Sequence, residues 1–425
     1  MTRAQVIIIG IGAVIVLGVV LVFIGIIPGL KTESSKPVTL EFWGVESSSA
    51  FNDALALYKQ THKKVEVRYR ELDESSYEST LVNALASGKG PDLFMVHSTW
   101  TPKHFDKMLP FGDAQISFKQ FQDLFPRVAE QDFAPDGAIF ALPLYIDTLA
   151  LFYNKDIFDR KSIALPPGNW TEVQNAITKI REVDKGGRIT LAGAALGGNG
   201  ASVDHAPDIL SLLMLQTGVE MTTNDFSNAR FAHDGLTSLN FYTKFANPQS
   251  PSYTWSDELG LSLDAFAQGN VGIIFDYADR LGLIQNKNSF LRIGVVPMPQ
   301  AEGTSNRVDY ADYYGVAVST QSAEADAAAA LALALATDQD TNLAYLRATG
   351  LPPALRVTIN QTLGLPTLGV FARQALTARS WPQGDATIVT RAFNDMIQDV
   401  VTRHSTPEKA IKLAEDVVTQ TMRRR

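Results

Sequence analysis

From Pro37 onward the chain alternates short apolar, β-branched runs with segments of helical apolar spacing, which confines it to the α/β class, a sheet covered by helices. Val38 to Trp43 reads as a buried strand, and Ala50 to Gln60 as a helix with Phe51, Ala54, Leu55 and Tyr58 on one face. Lys64 to Tyr69 alternates Val65, Val67 and Tyr69 as a second strand. Tyr77 to Ala86 makes a helix on Leu81, Ala84 and Leu85, and Ser87-Gly88-Lys89-Gly90-Pro91 stops it before a third strand, Asp92 to Val96. A β-α-β-α-β unit with right-handed crossovers makes a parallel sheet, whose ligands sit beyond the carboxyl ends of the strands. Those ends are Gly44 to Ser47 and His97 to Trp100.

Further on, Ala138 to Leu144 and Leu149 to Asn154 are apolar runs joined through Tyr145-Ile146-Asp147-Thr148, which reads as a crossover between lobes, and Asp312 to Val318 reads as another. Helical periodicity marks Thr171 to Val183, Pro207 to Thr217, Asp234 to Phe245 and Ser256 to Gln268. Strands are expected at Val271 to Asp276 and Ile293 to Pro297. The rest reads as helix: Ala323 to Thr337, Asn342 to Ala348, Pro366 to Ala378, Ala386 to Arg403 and Pro407 to Arg423. At 425 residues the chain has room for two cores.

Ahead of the alternation, Val6 to Ile27 is apolar or Gly throughout, and at about 1.5 Å per residue it would span roughly 33 Å, close to a bilayer's hydrocarbon core. A cleaved signal peptide has a shorter apolar region and a small-x-small site, whereas this run ends in Ile26-Ile27-Pro28-Gly29-Leu30. The reading is an uncleaved anchor over residues 1–30 (transmembrane 6–27), a linker over 31–37, and a single-pass protein of the cell membrane with its bulk extracellular or periplasmic. The chain has no cysteine, so disulfides, thiolate nucleophiles, Cys-based metal sites and a lipid-anchoring Cys are all excluded. With a net charge of -8 and no basic block beyond Arg423-Arg424-Arg425, nothing would neutralise a phosphate backbone, and nucleic acid is not expected as a partner.

Catalytic signatures are missing as well. There is no GxxxxGK[ST], no GxSxG and no HExxH. The segments Asp276-Tyr-Ala-Asp279 and Asp309-Tyr-Ala-Asp312 gather carboxylates, but position 12 counted from each first Asp is Lys287 or Thr320, not the Glu of a calcium loop. No metal or cofactor is expected. Aromatic residues at element ends say more: Trp43, Trp100, Tyr145, Trp255, Tyr277, Tyr313, Tyr314 and Trp381. Flat rings suit the C–H faces of a sugar, while carboxylates and amides bond to its hydroxyls. Polar candidates beside them are Glu46 after the first strand, Asp147 at the first crossover, Asp276 and Arg280 at a strand end, and Asn199 and Asp204 in the Gly-rich loop. Trp170, in Asn169-Trp170-Thr171-Glu172, reads as packing at a helix start. Tyr313-Tyr314 also admits a ferric-iron reading, with phenolate ligands.

Several segments resemble the extracellular solute-binding proteins of ABC importers, specifically the maltose-binding-like sugar-binding family 1. They are Leu40-Glu41-Phe42-Trp43, Ala86-Ser87-Gly88-Lys89-Gly90-Pro91-Asp92-Leu93, Ala141-Leu142-Pro143-Leu144-Tyr145 through Leu151-Phe152-Tyr153-Asn154-Lys155-Asp156, Asn169-Trp170-Thr171-Glu172, Ala265-Phe266-Ala267-Gln268-Gly269 with Asn270-Val271-Gly272-Ile273, and Gly350-Leu351-Pro352-Pro353. They run in family order over nearly all of residues 38–425. The resemblance implies a two-lobed periplasmic-binding-protein-like fold of type II, hinged, with lobe 1 over 38–145 and 317–360 and lobe 2 over 148–312 and 365–425. It also implies ligand contact for Trp43 to Glu46, Trp100, Tyr145, the Asn199 to His205 loop, Tyr277 and Trp381. The family's lipid-anchoring Cys is absent, and the loops around Asn199 and Asp276 match no one sugar.

The expected function is therefore a membrane-tethered, monomeric binding protein that closes on a carbohydrate and hands it to ABC permease subunits, with no bond made or broken. Rival solutes are a polyamine, a peptide or ferric iron. Rivals of another class are a surface-anchored glycosidase with paired carboxylates and a sensor or adhesin on the same fold.

Overall fold

A computed structural model describes residues 37–304 and 306–422. The apolar run Val6 to Ile27 and the linker after it lie outside the described residues, among which no helix is long and apolar enough to cross a membrane.

The strands, in chain order, are β1 (Val38–Gly44), β2 (Val65–Glu71), β3 (Leu93–His97), β4 (Met108–Leu109), β5 (Leu142–Pro143), β6 (Asp147–Thr148), β7 (Ala150–Asn154), β8 (Glu182–Val183), β9 (Ile189–Ala194), β10 (Val271–Asp276), β11 (Ile293–Pro297), β12 (Asp309–Asp312), β13 (Tyr314–Ser319) and β14 (Ala378–Arg379). They form three sheets. The first runs β2-β1-β3-β13-β4, with β5 also on β13; the second runs β11-β7-β10-β9-β8; the third, a small one, runs β14-β12-β6. β1 pairs in parallel with β2 and β3, as the β-α-β-α-β reading requires, and β13 then returns antiparallel against β3.

Several elements differ from the sequence reading. The helix expected over Thr171 to Val183 is Trp170–Ile180, and Glu182–Val183 turns out to be a strand, because a tight turn at Asp184 with Gly187 at φ +84° folds β8 back on β9. Ser256 to Gln268 is broken at Gly260, φ +76°, into a 3-10 turn Asp257–Leu259 and a helix Ser262–Ala267. Pro366 to Ala378 is a shorter helix, Leu368–Ala375, followed by β14. Such two-residue strands have no periodicity of their own and exist only because a partner strand is present.

Two buried cores result. One is built on Leu40 to Ile146 and then Ala311 to Ile359, and the other on Leu149 to Tyr310 and then Trp381 to Met422. The helix Leu368–Ala375 stands between them, with Phe371 in the second core and Ala372 and Ala375 in the first. Its fully buried Gln374 donates through Nε2 to Thr148 Oγ1 and to the Leu149 carbonyl, both at 2.9 Å. Its Oε1 accepts from the Met298 N–H at 2.7 Å and from Arg307 at 3.2 Å. One amide thus satisfies the Leu149 carbonyl and the Met298 N–H of the second core together with the Thr148 hydroxyl at the crossing, where unpaired groups would each cost about 1–3 kcal/mol. Gln374→Leu keeps the volume and removes those partners. It is expected to cost about 2–4 kcal/mol, read as a lower midpoint in thermal unfolding followed by circular dichroism.

Candidate ligand-binding site

β1 and β3 both end at the face between the two cores. β1 ends at Gly44, where a Cβ would lie 2.4 Å from Met95 Sδ and 2.6 Å from Tyr69 Oη, so a larger residue would push those side chains aside. The loop after it delivers Glu46, whose backbone carbonyl accepts from Tyr69 (2.8 Å) and whose Oε1 accepts from Tyr345 (3.3 Å). Burial raises the Glu46 carboxyl to about 7, against the Tyr345 hydrogen bond, and the nearby Asp279 and Glu74 add to the rise.

β3 ends at His97. Its Nε2 lies 2.5 Å from Asp312 Oδ1 at the end of β12, and its Nδ1 is 2.8 Å from Thr99 Oγ1. Burial pulls the imidazole down, but Asp312 outweighs it and holds it above the ordinary histidine value, while His97 in turn keeps Asp312 low. Trp100 stacks on Tyr77 at 5.7 Å and meets Tyr314 edge-on at 6.3 Å. Tyr314 donates to Glu74 (3.2 Å). Tyr145, bridged to Pro353, is raised by burial, with Tyr345, Glu46, Tyr314 and Asp312 all near enough to add to the rise.

The second core presents a matching group. Asp276 ends β10, and His205, held at φ +57°, places Nε2 3.1 Å from its Oδ1 and Nδ1 3.7 Å from Asp208 Oδ2. Tyr277 packs edge-on to His205 at 4.7 Å and donates to Asp208 at 3.1 Å. Burial alone would lower His205; the carboxylates of Asp276 and Asp208 hold it well above its usual value. Between the halves, Asp147 on β6 lies opposite Asp312 in the small sheet and accepts the Asp279 N–H at 3.2 Å. Burial, then the charge of Asp279, pushes its carboxyl well above the usual range. Arg280 lies 3.5 Å from Asp279 and, with His205, lowers Asp312. Two histidine–aspartate groups, one from each core, therefore act on each other across the interlobe face.

Of the residues singled out from sequence, Glu46, Trp100, Tyr145, Asp147, Asp276, Tyr277, Arg280 and Tyr314 gather here. Asp204 accepts from Ser262 and the Leu263 N–H, close enough to act on Arg280. Trp43 carries Arg70 over its ring at 4.6 Å. Others are engaged elsewhere. Trp255 is fully buried in the second core and donates to Ser202, Trp381 packs on Phe393 and Phe231, and Asn199 donates to Gln398. Tyr313 donates to Asp132, so it and Tyr314 aim their hydroxyls at different carboxylates rather than at a common ion. Among the described residues no cluster of three or more His, Asp or Glu is disposed to hold a metal. Asp208, Glu74 and Tyr345 were not singled out; His97 and His205 entered only as the ends of the expected segments His97 to Trp100 and Asn199 to His205, and Asp279 and Asp312 only within the Asp-Tyr-Ala-Asp segments. The signal for the histidines was present: two of only six in the chain fall in the loops expected at the ligand edge.

Comparison with known proteins places this geometry. The profile of the bacterial extracellular solute-binding proteins matches residues 44–341, well over half of the chain. The chain belongs to that family. A binding protein of Brucella abortus (strain 2308) is 22% identical over 272 residues, 62% of this chain and 62% of the relative, so the chain spans less than two thirds of the length of the curated relatives it matches. The cyclic α-maltosyl-1,6-maltose binding protein of Arthrobacter globiformis shares the fold with a TM-score of 0.75 at 19% identity, over 91% of this chain and 99% of its own. An ABC transporter solute-binding protein of Thermotoga lettingae, bound with α-D-tagatose, aligns with a TM-score of 0.71 at 22% identity, over 91% and 100%. In this solute-binding protein, then, the paired loops meet where two α/β lobes face each other.

Glu46 gives a pH test. Its folded value of about 7 exceeds the ordinary 4.5, so the fold carries no penalty while the group is protonated and loses stability as pH rises from about 4.5 through 7. Glu46→Gln is expected to match wild type near pH 4 and to exceed it by roughly 1–3 kcal/mol at pH 8, seen as a widening gap in melting temperature.

Proposed function

We propose that the chain binds a carbohydrate between its lobes and delivers it to the permease of an ABC importer without chemical change. The reading rests chiefly on one juxtaposition: the rings of Trp100, Tyr145 and Tyr314 stand at the same interlobe face as the carboxylates of Glu46, Asp276 and Asp312. Rings cover the C–H faces of a pyranose, and carboxylates accept from its hydroxyls. Closure of the lobes, turning about the crossings near residues 146–149, 310–311 and 360–370, expels water and engages both halves at once. The solute shifts that equilibrium only by its preference for the closed form. The fold shared with sugar-binding proteins over nine tenths of the chain supports the same class of solute. In this reading the apolar run Val6 to Ile27 tethers a monomer to the membrane with its lobes outside the cell, the role a lipidated Cys would otherwise take.

A second solute class has one observation in its favour. Glu46, Glu74, Asp147, Asp208, Asp276, Asp279 and Asp312 gather around His97, His205 and Arg280, an acidic surplus that suits an amine-bearing solute such as a polyamine.

Isothermal titration with maltodextrins, monosaccharides and polyamines separates the two. An oligosaccharide is expected to bind, with a smaller radius of gyration in solution scattering, and Trp100→Ala is expected to weaken it at least about tenfold, or 1.4 kcal/mol. Binding of spermidine alone selects the second solute class. Turnover of an aryl glycoside, or binding with an unchanged radius of gyration, would overturn the binding-and-closure mechanism.

A further inference from the structure

On the first lobe the short helix Thr101–His104 follows directly on Trp100, whose carbonyl accepts the Lys103 N–H at 3.0 Å and the His104 N–H at 2.9 Å. On the second lobe Asp385 caps the helix Ala386–Val401, its Oδ1 accepting the Ile388 N–H at 3.1 Å. The Lys103 ammonium lies 2.6 Å from Asp385 Oδ2 and 2.7 Å from Glu78 Oε1. Glu78 also meets His104 Nε2 at 2.7 Å. Burial alone would raise the Glu78 carboxyl, but His104 and Lys103 hold it at about 2, so it is ionised at neutral pH.

One lysine is thus shared between the lobes. Glu78 stands on the helix Glu74–Ala86, which buries Tyr77, Leu81 and Leu85 in the first core, whereas the helix that Asp385 caps buries Val389 and Phe393 in the second. Beside the ion pair a cavity of about 550 Å³ separates Pro102 and Phe105 from Ile388 and Val417, so the pair spans a gap rather than a packed surface. A contact of this kind parts without exposing new apolar area. Each partner also keeps a second one when it does. Lys103 retains Glu78, and Asp385 retains the N-terminus of a 16-residue helix, where a carboxylate is favoured. No charge is left stranded in either state, which allows the contact to form and break.

We propose that Lys103 and Asp385 form a latch that holds the two lobes at the angle described here. They are positioning residues, not ligands of the solute. The latch lies close to the ring that faces the cleft: Lys103 and His104 are bonded to the Trp100 carbonyl, and Tyr77, next to Glu78 in the chain, stacks on the Trp100 indole. A solute that needs this lobe angle loses affinity in proportion to the fraction of chains that leave it. That consequence rests on the cleft reading given above; the latch itself does not.

The chain has no cysteine, so Asp106→Cys and Gln420→Cys, at exposed residues that line the cavity from opposite lobes, each accept one spin label. Pulsed electron paramagnetic resonance then reads the distance between them in the full chain without solute. Asp385→Asn removes the charge and keeps a good helix cap; it is expected to raise the population at longer distance at least about threefold, with an unchanged melting transition. Lys103→Met is expected to do the same, and the two together to do no more than Lys103→Met alone. Sodium chloride at about 1 M, where the screening length falls to ~3 Å, is expected to lengthen the distance in the labelled parent and to leave the double variant unmoved. Distance distributions that are the same in the parent and both variants overturn the proposal. So do shifts that add in the double variant, or shifts that appear only with a lowered melting temperature. Because no solute is present, none of these outcomes bears on whether the cleft takes a carbohydrate.

Discussion

Two buried cores share one chain, and the chain crosses between them beside a single fully buried amide. Gln374 satisfies Thr148, Leu149, Met298 and Arg307 together, from a helix that has Phe371 in one core and Ala372 in the other. Backbone groups at a crossing cannot reach a regular sheet ladder on either side, so a side chain must supply their partners. The small sheet β14-β12-β6 does the rest, pairing three short segments that are far apart in sequence. Every distance across the interlobe face depends on that junction.

What the junction brings together is a set of carboxylates that raise one another's proton affinity. Seven carboxylates approach one another, from the buried Asp147 and Asp276 to the exposed Glu74 and Asp279, and the molecule accommodates them in two ways. Asp312, Asp276 and Asp208 are matched by His97 and His205, whose proton affinity they raise against the effect of burial. Glu46 and Asp147 are instead pushed upward by burial toward the neutral acid. Aromatic surfaces from Trp100, Tyr145 and Tyr314 set the shape of the space around them.

Much of this was legible in advance where the signal is local. The first three strands and the loops after Gly44 and Val96 follow from periodicity and from the glycine-proline stop at Gly90-Pro91, and the loops do carry Glu46, His97 and Trp100 to the interlobe face. Aromatic candidates were less secure. Trp255 and Trp381 sit at element ends exactly as Trp100 does, yet they pack inward, because a large indole is drawn to whichever core lies nearest and position along the chain does not say which that is. Asn199 likewise spends its amide on Gln398, almost two hundred residues away. The short strands β6, β8 and β14 had no pattern to read, since two residues have no periodicity and only a partner makes them strands.

By itself, then, the sequence determined the α/β class, the parallel opening of the first sheet, the absence of cysteine chemistry and the loops from which a site would be built. These follow from side-chain chemistry and from spacing within a dozen residues. The tertiary structure alone decided that His97 would meet Asp312 and His205 would meet Asp276, and that Asp276, Asp279 and Asp312 of the two Asp-Tyr-Ala-Asp segments would reach one face while Asp309 pairs with Arg307 away from it. The reason is range. Hydrophobic periodicity is read along the chain, but an ion pair, a proton affinity or a cavity depends on groups brought within a few ångströms by crossings that no local pattern encodes.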